Sequence, residues 1–265
     1  MREIPVVTDS IPQHNTILEL FGVDSWRDVD ILLHPEHDPQ ANMDIDHCRA
    51  QELLVGTAKP MLRLYSWKPH AVSLGAHQRS SDIDEDACAR LGLAIVRRPT
   101  GGRAIVHANE LTYSVIVPLT TAEAPQRTIH DVYRDVHTIL LKALHLLGAK
   151  EVDFEKTQTD FRAHYRNGSV AMPCFASSAR YELQWGKRKV VGSAQKLYGG
   201  SVVLQHGSVL LGAGHERLAE ILNIPNDTER QRIGEIIAER SVTLHEICQR
   251  PISFQECSEA ILSIV

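Results

Sequence analysis

Two apolar strands meet at a pair of glycines. Ala94-Ile-Val-Arg-Arg98 runs directly into Pro99-Thr-Gly-Gly-Arg-Ala-Ile-Val-His107. Adjacent glycines between β-prone runs demand a sharp reversal or a close approach of something to the backbone. Arg97, Arg98 and Arg103 flank the pair, and exposed N–H groups beside guanidinium groups suit an anionic or carbonyl ligand. A plain glycine hairpin accounts for the same residues equally well. Neither Gly-x-Gly-x-x-Gly nor a Walker-type Gly-Lys-Ser/Thr is present, so the block is not a generic nucleotide loop.

The flanking chain alternates strands with helices. Residues 1–39 read as a surface extension, with a short helix over Asn15–Phe21, a strand over Val29–Leu33 and a turn-rich His34–Pro39. Helical spacing of Met43, Ala50, Leu53 and Leu54 predicts a helix over 40–55, stopped by Gly56. Met61–Trp67 and Ala71–Gly75 read as strands, and Asp82–Leu91 as a helix with Asp82 and Glu85 as its capping box. Leu111–Pro118 is a further strand. Thr128–Leu147 is the clearest helix: Thr128 and Asp131 cap it, and Ile129, Val132, Val136, Ile139, Leu140, Ala143 and Leu147 form one face. His130, His137 and His145 are not at metal spacing and read as solvated or core-edge side chains. Val202–Leu211 reads as a strand interrupted by Gln205-His-Gly-Ser208, a polar quartet that is costly unless satisfied or functional. Its His206 fits a core role or a substrate-lining role. Beyond Gly214 the pattern is helical: Glu216–Leu222, Thr228–Glu239, and two capping boxes, Thr243/Glu246 and Ser253/Glu256.

Residues 174–195 carry the candidate chemistry. Cys174 sits in a polar, irregular stretch, and Lys189 follows fifteen residues later. A thiol is an effective nucleophile as thiolate, and a nearby ammonium favours that form. Arg180–Trp185 and Lys189–Ala194 predict a hairpin across Gly186–Arg188 that returns Lys189 towards Cys174. Gly192-Ser193-Ala194 reads as a small-residue turn with room for a substrate against the backbone. The competing reading makes Cys174 a core cysteine and Lys189 a solvated charge.

Composition bounds the rest. The chain has 265 residues, 43% of them hydrophobic and 23% charged, which suits one large globular domain or one with a small appendage. Its five cysteines are scattered and show no Cys-x-x-Cys spacing, so neither a metal site nor a disulfide framework is expected. No signal peptide and no membrane-length apolar run stand out, and a cytoplasmic location without membrane partners is expected. A net charge of −5 argues against wholesale nucleic-acid binding.

Three blocks in order resemble the biotin/lipoyl protein ligase superfamily, in particular the cysteine-dependent octanoyltransferases of lipoate assembly. They are Arg97–His107 with Glu110–Val115; Cys174-Phe175 with Tyr181-Glu-Leu183; and Lys189–Gln195 with Leu204–Ser208. The resemblance implies an α/β (α+β) fold of mixed β-sheets flanked by helices, with a helical C-terminal tail. Residues 26–265 would form the catalytic domain behind an extension of residues 1–25. It implies that Cys174, activated by Lys189, takes the octanoyl group as a thioester. Arg98, Gly101, Gly102, Arg103, His107, Gly192, Ser193, Ala194, Gln195, His206 and Gly207 would then bind substrate. The donor would be octanoyl-acyl carrier protein, with the acyl group on its phosphopantetheine and no further cofactor. The acceptor would be an apo lipoyl domain, such as glycine cleavage H protein or a dehydrogenase E2 subunit. The run Lys187, Arg188, Lys189 and Lys196 would suit an acidic carrier protein, and Lys189→Ala would leave the fold intact. Three alternatives stay open: an ATP-dependent lipoate ligase, an octanoyl amidotransferase acting between lipoyl proteins, and an inactive acyl-carrier-binding module.

Overall fold

Along strand β6, Glu110–Pro118, both faces are buried almost to the end, so the strand must be covered on both sides. The computed structural model describes residues 18, 20–120, 127–155 and 181–265, and it shows that covering. Strand β6 is the centre of a five-stranded sheet. β1 (Asp30–His37) lies at one edge, then β2 (Met61–Trp67), β6 and β11 (Val202–Leu210), with β10 (Val191–Tyr198) at the far edge. β1 and β2 run parallel, and the other neighbours are antiparallel.

The period-2 geometry of a strand sorts β6 into two faces. Leu111, Tyr113, Val115 and Val117 face the main core. There they meet helix α3 (Ile129–Leu146) and the last helix, α7 (Phe254–Ile264). Thr112, Ser114 and Ile116 face the other way, towards α1 (Pro39–Leu54). A second sheet, β4–β3–β5, is built from Ala94–Arg97, Ala71–Leu74 and Ile105–His107. It packs with α2 (Glu85–Arg90), α4 (Leu218–Ile221) and α5 (Asp227–Arg240) around its own apolar cluster. The third sheet, β7–β8–β9, comprises Val152–Phe154, Leu183–Trp185 and the two-residue β9, Arg188–Lys189. A short helix, α6 (Leu244–Cys248), carries the Thr243/Glu246 capping box. The mixed sheets, flanking helices and helical C-terminal end agree with the expected fold class.

Several local expectations are corrected. His34–His37 is not a turn but the continuation of β1, and Asp38 caps α1 by accepting from the Ala41 N–H at 2.9 Å. Leu20 and Phe21, placed by sequence in a surface extension, are buried in the main core. The N-cap of α2 is Asp84, not Asp82. Ser253 caps α7, but the Glu256 carboxylate turns to Arg250 at 2.7 Å. The hairpin after residue 181 is shorter than expected, because the chain leaves β9 and enters the main sheet at Val191. Gly192-Ser193-Ala194 is therefore strand β10, not a turn. β11 also runs unbroken through Gln205–Ser208.

Candidate active site

Between the main sheet and the smaller β4–β3–β5 sheet lies a cavity of about 310 Å³. Eleven of the expected site residues line it: Arg98, Gly101, Gly102, His107, Lys189, Gly192, Ser193, Ala194, Gln195, His206 and Gly207. These residues come from four separate stretches of chain, and the topology brings them to one place. Arg103 is not among the lining residues; its carbonyl instead accepts from Arg98 Nη2 at 2.6 Å. Cys174 lies outside the described residues.

The short hairpin sets the most unusual pair in the site. Lys189 ends β9, and Val190 N–H donates to the Leu183 carbonyl at 3.1 Å, so Glu182 lies alongside Lys189. Lys189 Nζ meets Glu182 Oε1 at 2.7 Å, with side-chain exposures of 6% and 5%. A buried ammonium requires such a partner, because removing an isolated charge from water costs far more than burial returns. Lys189 is thus neither a solvated surface charge nor part of an open basic patch. Arg188 is committed as well, donating to Glu246 at 2.7 Å and to the Ser241 carbonyl at 2.7 Å. Lys187 is exposed, and Lys196 lies 4.7 Å from the centre of the Tyr198 ring.

The arginines of the glycine block shape the loop itself. Arg98 donates to the carbonyls of Ser73 at 2.9 Å, Gly101 at 2.9 Å and Arg103 at 2.6 Å. Arg97 donates to the Gly75 and Gln78 carbonyls at 2.8 and 2.6 Å. The loop sits so close to β3 that a Cβ on Gly75 would lie 2.0 Å from the Gly102 carbonyl oxygen. Gly102 itself has φ of +95°, a backbone setting natural to glycine.

Two polar clusters form the cavity wall. In the first, His107 Nδ1 meets Glu110 Oε1 at 2.8 Å, and its Nε2 meets Ser73 Oγ at 2.7 Å. Thr112 and Ser208 donate to the same Glu110 oxygen at 2.5 and 2.8 Å, and the Trp67 ring stacks on His107 with centroids 4.0 Å apart. In the second, the buried Asp46 carboxylate receives Arg63 at 3.1 Å and the Tyr65 hydroxyl at 3.1 Å. It lies 3.6 Å from His206 Nδ1, while His206 Nε2 meets Thr100 Oγ1 at 2.6 Å. Burial pushes His206 below the ordinary histidine range, against the bond and charge of Asp46. The quartet 205–208 is therefore paired throughout, which is why β11 stays regular.

Sequence reasoning missed Glu182, and it misplaced His137. The His137 ring is fully buried on α3, 2.8 Å from Ser193 Oγ. A signal was present: residue 137 shares a helical face with Tyr133, Leu140 and Leu144, all buried.

The model of the lipoyl protein ligase A/B catalytic domain matches residues 38–265. This chain belongs to that family. A protein of Exiguobacterium sibiricum named Octanoyltransferase LipM is 39% identical over 231 residues, covering 87% of this chain and 83% of its own. One of the same name from Kyrpidia tusciae is 36% identical, covering 89% of this chain and 84% of its own. Among solved structures, a bipartite lipoate protein ligase from Thermoplasma acidophilum superposes with a TM-score of 0.66 at 21% identity. It covers 89% of this chain and 81% of that one. Lipoate-protein ligase A bound with ATP gives 0.63 at 21% identity, over 89% of this chain and 83% of that one. At that identity the superpositions establish the shared fold. Among the described residues no helix is long and apolar enough to cross a membrane.

Proposed function

We propose that this chain is an octanoyltransferase of lipoate assembly. It moves an octanoyl group from octanoyl-acyl carrier protein to the lysine of an apo lipoyl domain, through a thioester on Cys174. The observation that carries the reading is the buried Lys189–Glu182 pair on the wall of the cavity. It is supported by extended similarity to relatives named octanoyltransferases.

In the first step the Cys174 thiolate attacks the thioester carbonyl of the donor. The carbonyl oxygen becomes an oxyanion, the intermediate collapses, and the carrier thiolate leaves. In the second step the acceptor lysine, as free amine, attacks the octanoyl-Cys174 carbonyl. The nitrogen of the intermediate gives up a proton to solvent, the Cys174 thiolate leaves, and a neutral amide remains on the acceptor. Two nucleophilic steps replace one encounter of two protein substrates. In this reading Lys189 supplies the positive charge that favours the thiolate and the oxyanion, in surroundings where water screens it weakly. The backbone of Gly101, where a Cβ would meet nothing within 4 Å, leaves room for the acyl carbonyl on the cavity wall. The donor thioester already supplies the free energy for amide formation, so ATP takes no part.

Intact-protein mass spectrometry tests this directly. The purified chain mixed with octanoyl-acyl carrier protein, without ATP, gains one octanoyl group, and Cys174→Ala gains none. An adduct on Cys174→Ala, or adduct formation only with free octanoate and ATP, would overturn the reading. Lys189→Ala slows acylation severely. It also costs stability, about 3–5 kcal/mol, because Glu182 stays buried without its ammonium. A double variant, Glu182→Gln with Lys189→Met, separates the two effects: it recovers stability and not activity.

A further inference from the structure

The Lys189–Glu182 pair is held from outside the hairpin as well as from within. Tyr181, the residue before Glu182, has φ of +70°, a left-handed setting uncommon for a side chain of its size. Such a conformation persists where surrounding contacts determine it. One such contact is on the backbone: the Tyr181 carbonyl lies 2.7 Å from His137 Nδ1, while the Tyr181 ring meets Phe154 edge-on with centroids 5.9 Å apart. A carbonyl only accepts, so Nδ1 carries the proton and Nε2 is bare. Nε2 therefore accepts from Ser193 Oγ–H at 2.8 Å. Ser193 in turn accepts from the Tyr113 hydroxyl at 2.6 Å, and Tyr113 accepts from Gln205 Nε2 at 3.1 Å. Gln205 Oε1 accepts from Gln195 Nε2 at 2.9 Å. Every donor in this chain points the same way, from the edge of the main sheet to the Tyr181 carbonyl, and only a neutral ring completes it. The protonation chemistry agrees: burial pushes His137 down to about 3, the Tyr181 carbonyl opposes that shift, and the nearby Lys189 charge adds to it.

We propose that His137 is a positioning residue for acyl transfer: by clamping the Tyr181 carbonyl it fixes the turn that presents Glu182 to Lys189, and by accepting from Ser193 it ties that turn to strand β10 of the cavity wall. The inference rests on the reading of Lys189 as the activating charge of the site.

Two isosteric variants divide the ring into its halves. His137→Asn keeps a donor where Nδ1 stands, and His137→Gln keeps an acceptor where Nε2 stands. His137→Gln lowers kcat for octanoyl transfer about 10- to 100-fold, the scale of a small misplacement of a catalytic group. KM for the donor stays within about twofold, the mark of a loss felt after binding. His137→Asn restores most of the rate. A role in folding alone would reduce the active fraction of both variants alike and leave kcat per active site unchanged. Crystal structures of the two variants give a readout independent of rate: in His137→Gln, Lys189 and Glu182 move out of ion-pair distance, and in His137→Asn they stay in it. Normal kcat in His137→Gln, or an ion pair intact there, would overturn the proposal. Full activity in Lys189→Ala would instead overturn the role given to Lys189, and the structures would still decide whether His137 places the pair.

Discussion

Glycine 207 shows how one missing side chain holds a polar network together. A Cβ at this position would lie 2.5 Å from the Gly192 carbonyl oxygen, 2.6 Å from Ser193 Oγ and 2.8 Å from Tyr113 Cε1. The first is backbone of a paired strand and the third a buried ring, so neither yields easily. Gly207→Ala is expected to push β10 from β11 and cost about 1–3 kcal/mol, the usual scale of overpacking, read from urea denaturation midpoints. Gly101 makes the contrasting case. A Cβ there meets nothing within 4 Å. Gly101→Ala is expected to keep stability within about 0.5 kcal/mol of the parent, as for substitutions that touch nothing. Both glycines stand in the blocks that the sequence singles out, yet only the contacts of distant strands separate them. The same holds for Arg98, which reads in sequence as a ligand receptor. In the fold it lines the cavity and also donates to the carbonyls of Ser73, Gly101 and Arg103, contacts contributed by a separate strand and by the loop itself.

At the scale of elements, helix α3 links the core to the site. The Thr128 hydroxyl accepts from the Asp131 N–H, and the Asp131 carboxylate accepts from the Thr128 N–H, closing a capping box at the N-terminal end of the helix that carries His137. Thr128→Ala is expected to cost about 1 kcal/mol, seen as faster amide exchange in the first turn. Asp131 is held below the ordinary carboxylate range chiefly by its bonds from Thr128. A lowered carboxylate stabilises the fold above its unfolded-state value, and the contribution fades as pH falls through the folded-state value. The cap therefore weakens in acid and not in base. These features were legible in the sequence because they are local: the capping pattern, the helical period and the boundaries of β2 all depend on neighbours within a few residues. The unbroken course of β11 was not legible. Gln205, His206 and Ser208 look like an interruption until their partners arrive from Tyr113, Thr100 and Glu110, some 90 to 106 residues away in sequence. The ring of His137 was hidden for the same reason, since Tyr181 and Ser193 lie 44 and 56 residues on.

For the molecule as a whole, buried histidines set the response to acid. His137, His206 and His215 are all pushed below the ordinary histidine range, in each case first by burial. They sit at different joints: His137 between α3 and β10, His206 between the main sheet and the glycine loop, and His215 against Ser241 at the end of α5. The unfolded chain binds a proton on each as pH falls through about 6.5, while the folded chain resists until lower pH. The unfolded state therefore holds more protons in that window, and linkage requires stability to rise with pH across it. Stability is full above the unfolded-state value and drains as pH falls below it, for His137 by on the order of 1 kcal/mol per pH unit. For His137 the window extends down to about pH 3. Guanidinium midpoints measured from pH 7.5 to 5 should fall accordingly. His137→Phe should be less stable than the parent at pH 7.5, because the Tyr181 carbonyl and Ser193 hydroxyl lose their partner. It should nevertheless lose less stability on acidification, since one titrating site has gone. A parent curve that is flat across this range, or a variant curve as steep as the parent's, would mean that the ring is reached by water and that the one-way chain of donors does not persist in solution.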